Sequence, residues 1–138
     1  MTTSITLDGV GIHTGASARV TLSVASTPGI HIHTESGSIT LAPEHVTETT
    51  RCTVISNGSI RVSTVEHLSA ACTALGVTAL EVTLVGPELP IGDGARLFWM
   101  NALADLGFVN ESPTWYEIPN AIEVPGANGA FIGIYPAA

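Results

Sequence analysis

The sequence predicts an α+β fold: a two-layer sandwich with a mostly antiparallel sheet and two helices on one face. Three observations predict it. Residues 16–24 alternate strictly, with Ala16, Ala18, Val20, Leu22 and Val24 on one face and Ser17, Arg19, Thr21 and Ser23 on the other, the period of a half-buried strand. Several more short stretches with strand character follow, each bounded by turn residues. From residue 64 the apolar period lengthens, placing Val65, Leu68, Cys72 and Leu75 on one side of a helix, and a second helical stretch precedes Gly107. Strands that are mostly hairpin-connected, covered by two helices, make a layered sandwich.

The elements follow in order. Gly9, Gly11 and Gly15 mark a tight turn over residues 9–15, ahead of the strand at 16–24. Pro28-Gly29 turns the chain into a strand at 30–34, with Ile30 and Ile32 on one face and His31 and His33 on the other. Ser36-Gly37 leads to a shorter strand at 38–41. Strands at 52–55 and 60–63 flank Asn57-Gly58, the sharpest two-residue hairpin signal. Ser63 and Thr64 are expected to cap the first helix, with Glu66 in its first turn and Gly76 as its left-handed terminator. An apolar strand at 80–85 runs into a rigid loop containing Gly86-Pro87 and Pro90. Asp93 or its neighbour is expected to cap the second helix, about 95–106, whose buried side is read as Phe98, Ala102, Leu103 and Leu106. Residues 110–113 read as a linker and 115–135 as a final hairpin, its aromatics Trp115, Tyr116, Phe131 and Tyr135 assigned to packing.

Composition excludes several functions. The chain has 138 residues, one domain's worth, with 4 Lys+Arg against 12 Asp+Glu and a formal net charge of −8. All four cations are arginines, so neither a nucleic acid nor an anionic membrane surface is an expected partner. No apolar run approaches the ~20 residues that span a bilayer. The opening MTTSITLDG lacks a basic start and an apolar core, so a cytoplasmic location is expected, with Cys52 and Cys72 as free thiols. Hydrophobic residues at 45% against 12% charged imply that some apolar surface meets another subunit or domain.

Chemistry can reside in three stretches. Glu66 and His67 are neighbours in the first turn of a helix, where both side chains can lean toward a point beyond its end. The positive end of the helix disfavours a protonated imidazole, leaving His67 able to bind a metal, and a carboxylate beside it can take a proton from water. Alone, a Glu-His pair is a weak motif, and its bland reading is a dipole-complementing Glu beside a surface His. His13 lies among the three glycines, and Asp93 sits between Gly92 and Gly94, most simply as a cap. His31 and His33 share a strand face, more simply a solvated face than a metal site.

In combination these stretches resemble one family. GVGIHTG at 9–15, ETTRCT at 48–53, STVEHLSA at 63–70, ALG at 74–76 and ELPIGDG at 88–94 occur in the order of the UDP-3-O-acyl-N-acetylglucosamine deacetylases, zinc enzymes of lipid A synthesis. The resemblance covers roughly residues 5–110. It implies that Glu66 is the general base, that His67 is a zinc ligand, and that His13, Cys52 and Thr53 border the same cleft, with Asp93 in its supporting loop. It further implies a first-domain-like region at 1–110, then a linker and hairpin at 111–138 resembling the start of a second domain. The substrate implied is a UDP-acyl-glucosamine.

The departures are equally specific. The family's second domain contributes the other zinc ligands through an H-K-x-x-D motif, and this chain has no lysine. The family's D-G-S reads Asp93-Gly94-Ala95 here. Catalytic zinc usually takes three protein ligands, and the resemblance supplies one. The chain also offers few cations to a diphosphate. The expectation is a half-length, deacetylase-like protein that completes its site with a partner or a second copy (a homodimer), docked through the helices around 68–75 and 98–106. The alternative is a non-catalytic binding or structural module of the same descent.

Overall fold

The structure, a computed structural model, describes residues 3–109 and 117–136. The alternating segment forms β2 (Ser17–Val24), which pairs antiparallel with β1 (Ser4–Val10) on one side. On its other side lies β8 (Ala79–Val85), itself paired parallel with β3 (Gly29–Thr34), which carries β4 (Gly37–Thr40) at the edge. The five-stranded order is β1-β2-β8-β3-β4, with one parallel pair among antiparallel ones. The α+β reading of two helices on a mostly antiparallel sheet therefore holds.

The registers explain why the pattern in sequence becomes a core. Ile5, Leu22, Val82, Ile32 and Ile39 fall in one row across all five strands. Leu22, Val82 and Ile32 are fully buried and Ile39 nearly so. Burying each such side chain is worth roughly 1.5–3 kcal/mol, and a one-residue slip would turn the row to solvent. The opposite face is polar: Thr6 bonds Thr21, Arg19 bonds Asp8 at 2.7 Å, and His33 meets Glu81 at 2.5 Å.

A second, three-stranded sheet comprises β5 (Val46–Glu48), β6 (Val54–Ser56) and β7 (Arg61–Ser63). Its β6–β7 hairpin turns at Asn57-Gly58, where Gly58 has φ +94° and the Asn57 side chain accepts from the Ile60 amide. One of these strands, β5, and β1 extend the sequence reading: β5 is exposed throughout, and β1 alternates between exposed and half-buried residues.

Helix α1 (Glu66–Leu75) buries Leu68, Ala71 and Cys72, and Gly76 closes it in the left-handed conformation at φ +65°. Helix α2 (Leu97–Asp105) packs beside it and buries Trp99, Ala102 and Leu103. Three expectations are corrected here. Neither Ser63 nor Thr64 caps α1, because Thr64 turns its hydroxyl elsewhere. Asp93 accepts from the Ala95 amide at 3.0 Å, upstream of α2, whose cap position is Arg96 with no side-chain bond. The fully buried aromatic of α2 is Trp99, with Phe98 half-buried against the core and edge-on to it, while Ala102, Leu103 and Leu106 are buried as expected.

The tail forms the hairpin of β9 (Ile122–Pro125) and β10 (Phe131–Ile134), exposed on both faces. Phe131 and Tyr135 are more than half exposed, so they do not pack as expected; Tyr135 donates instead to Glu123. Trp115, Tyr116 and the linker at 110–113 lie outside the described residues. The apolar sides of α1 and α2 are consumed by the chain's own core, and exposed large apolar side chains gather on the hairpin instead.

Candidate functional site

The site is built where β7 passes into α1. Thr64 stands between them with φ +62° and is almost fully buried. A β-branched residue in the left-handed region is costly, on the order of 1–3 kcal/mol, and persists only where its surroundings over-determine it. What determines it is Glu88. The Thr64 hydroxyl donates to Glu88 Oε1 at 2.6 Å.

Glu88 is the one fully buried carboxylate among the described residues, and it pairs with no cation there. Its oxygens instead accept from the amide of His13 (3.2 Å), the amide of Thr14 (3.0 Å) and the hydroxyl of Thr14 (2.9 Å). Burial alone would push this carboxyl up, but the bonds from Thr64, Thr14 and His13 outweigh it and hold the group below the usual carboxylate value. The glycines of the 9–15 turn find their reason here. A Cβ on Gly11 would sit 2.2 Å from Glu88 Oε2, and one on Gly9 would sit 2.7 Å from Pro90 Cβ. Backbone bonds complete the junction, from Leu89 to Ser63 and from Ile91 to Val10.

Two residues past Thr64, the half-buried Glu66 accepts from the Thr53 amide at 2.9 Å, while Thr53's carbonyl accepts from the Val65 amide at 3.4 Å. Glu66 borders an open cavity of about 420 Å³, whose walls include Leu41, Pro43, Val46, Thr53 and Ser69. His67 follows, half-buried, its ring free of hydrogen bonds to described residues. Cys52 is half-buried next to Thr53, whereas the Cys72 thiol lies in the core, where burial pushes it up to about 12.

The structure thus brings together four of the stretches singled out in sequence: hydrogen bonds join the 13–14 turn to Glu88 and Glu88 to Thr64, the backbone runs on two residues to Glu66, and Glu66 bonds Thr53. His13 enters by its backbone, and its side chain is exposed. Asp93 is not brought in; it is exposed and bonded only to its own loop. His31 and His33 diverge, the first toward Pro28 and Thr40 and the second onto Glu81. Sequence reasoning missed Glu88 and Thr64. Glu88 had a signal, a lone acid in the apolar run Leu84–Pro90, whereas nothing in the sequence marks Thr64 as left-handed.

Among the described residues, no three His, Cys, Asp or Glu side chains converge as metal ligands. His67 and its surroundings alone therefore do not make a catalytic zinc site, which usually takes three protein ligands.

A model of the family described as LpxC, UDP-3-O-acyl N-acetylglycosamine deacetylase, matches residues 1–138. The chain belongs to the LpxC family. The bifunctional enzyme LpxC/FabZ of Bacteroides thetaiotaomicron is 37% identical over 129 residues, 87% of this chain and 28% of that protein. The UDP-3-O-acyl-N-acetylglucosamine deacetylase of Phenylobacterium zucineum is 42% identical over 106 residues, 72% of this chain and 36% of that protein. The deacetylase of that name from Brucella melitensis is 38% identical over 113 residues, 78% of this chain and 40% of its own length. The chain thus spans 28% to 40% of these LpxC relatives.

Proposed function

We propose that this LpxC-family chain carries the base-bearing half of a deacetylase centre of lipid A biosynthesis, acting on a UDP-acyl-glucosamine. The observation that carries this reading is Glu66, its carboxylate held by the Thr53 amide at the wall of an open cavity, with His67 one residue on, its imidazole making no hydrogen bond to the described residues. In that role Glu66 takes a proton from the water whose oxygen bonds to the acetamide carbon. The carbon–nitrogen bond then breaks, acetate leaves, and the proton becomes available to the departing glucosamine nitrogen. His67 is one zinc ligand, and the remaining ligands lie outside these 138 residues, on a further domain, a partner or a second copy. Residues 1–110 form the first-domain-like unit in this reading, and 111–138 begin the next. The completing layer sits against the outer faces of α1 and α2, where Ala70, Thr73 and Ala104 are small and exposed. Free Cys52 and Cys72 fit a reducing, cytoplasmic setting.

The alternative, a non-catalytic module, is favoured by the shortage of converging ligands. One experiment separates the two. Zinc content and acetate release are measured on the chain alone and on the chain co-expressed with the remaining portion of the Phenylobacterium zucineum relative. The enzyme reading expects stoichiometric zinc in the completed assembly, its loss in His67→Ala, and a fall in turnover of about 10²–10⁴-fold in Glu66→Gln with zinc retained. An assembly that forms but holds no zinc and releases no acetate makes the chain a module.

A further inference from the structure

Glu88 performs none of the chemistry just described. It is fully buried and does not border the cavity beside Glu66, so it reaches neither substrate nor water there. Yet it is an expensive residue to keep. A carboxylate out of water costs several kcal/mol unless fully satisfied, and a packed apolar side chain would often serve stability equally well. Among the described residues its partners are four donors, the His13 and Thr14 amides and the Thr14 and Thr64 hydroxyls. A glutamine would keep one oxygen and turn an NH₂ toward the remaining donors; the threonine hydroxyls could turn to accept from it but the His13 and Thr14 amides could not, so the ionised acid is the group that accepts from all four.

We propose that Glu88 is a positioning residue. Its carboxylate holds Thr64 in the left-handed turn from which Glu66 and His67 project, and fastens the 13–14 turn to the same point. The role rests on the reading of Glu66 as the base, while the placement itself is a matter of geometry.

Three observations carry it. Thr64 has a backbone that a β-branched residue does not adopt unforced, and its side chain is used solely on Glu88. Gly11 leaves the space the carboxylate occupies, since any side chain there would displace Oε2. The start of α1 is then held from two directions, by Glu88 through Thr64 and by Thr53 through Val65 and Glu66. No side chain caps α1, so these hydrogen bonds, with the core packing of Val65 and Leu68, hold its first turn.

Amide hydrogen exchange on the whole chain tests this without zinc or substrate. Wild type is compared with Glu88→Gln, Thr64→Val, which loses only the hydroxyl, and Thr64→Ser, which keeps it. Leu103→Ala serves as a control destabilised at a fully buried site on α2, outside this set of hydrogen bonds. Exchange at Thr53 is read relative to Val82 in the central strand. Glu88→Gln and Thr64→Val are expected to speed Thr53 about tenfold or more on that ratio. Thr64→Ser and Leu103→Ala are expected to leave it unchanged. If Glu88→Gln speeds only His13 and Thr14, or if Leu103→Ala moves Thr53 equally, Glu88 merely supports the fold and the proposal is overturned. Should Glu88→Gln fail to fold, Thr64→Val decides alone. A positive exchange result with no acetate release from the completed assembly overturns the base role of Glu66 and leaves the placement standing.

Discussion

Glu88 and Asp93 are two acids five residues apart in one loop, and they live in opposite environments. Asp93, between two glycines, looks in sequence like the functional one; it is exposed and bonds only the Ala95 amide. Glu88, between Pro87 and Leu89, looks incidental; it is buried and holds two turns together. The difference teaches that a carboxylate's consequence follows from how many donors the fold aims at it. Glycine neighbours make an acid conspicuous without giving it partners.

The contrast can be broken most directly by truncation. Glu88→Ala leaves the Thr64 hydroxyl and the His13 and Thr14 amides facing a hole, and is expected to cost about 3–5 kcal/mol in urea-induced unfolding. A stable Glu88→Ala protein would end the argument for a hydrogen-bonded hub. Gly11→Ala attacks the same carboxylate from outside by placing a methyl 2.2 Å from Oε2. A loss of about 2–3 kcal/mol is expected, read as a fall in thermal midpoint.

Acid sharpens the comparison further. Glu88 is held below its ordinary value in the fold, so the unfolded chain takes up that proton first as pH falls. Its contribution is complete above the ordinary value of 4.5 and disappears as pH drops through the lower, folded value. Stability measured against pH should therefore decline below about pH 4.5 in wild type, and this acid limb should be shallower in Glu88→Gln. Asp93→Ala supplies the smallest effect. Losing one exposed turn bond should cost at most about 1 kcal/mol by the same unfolding assay, with exchange at Thr53 unchanged.

Particular residues show how far the sequence could be read. The strand at 16–24, the Asn57-Gly58 hairpin and the Gly76 stop were legible because each depends on a local rule: period two, a turn requiring positive φ, and a left-handed helix end. β5 was harder because a three-residue, wholly exposed edge strand carries no alternating pattern, whereas β1 does alternate between exposed and half-buried residues and the sequence reading passes over it. Adjacency at a helix start made Glu66 and His67 candidates only; their proposed roles came from the resemblance. Thr53 was found only as part of a family pattern, and its actual contribution, a backbone amide, has no side-chain signature.

What the sequence determined by itself is what periodicity and turn chemistry can specify over a dozen residues: most of the strands, the two helices, and the placing of Glu66 and His67 in the first turn of one of them. Tertiary structure alone decided that residues 13, 64 and 88 meet. Those contacts span 24 to 75 positions along the chain. They exist because β8 inserts into the sheet between β2 and β3, and the chain leaving it carries Glu88 past the end of β7. Local preference argues against a left-handed threonine and a buried acid; the hydrogen bond between the two makes each acceptable.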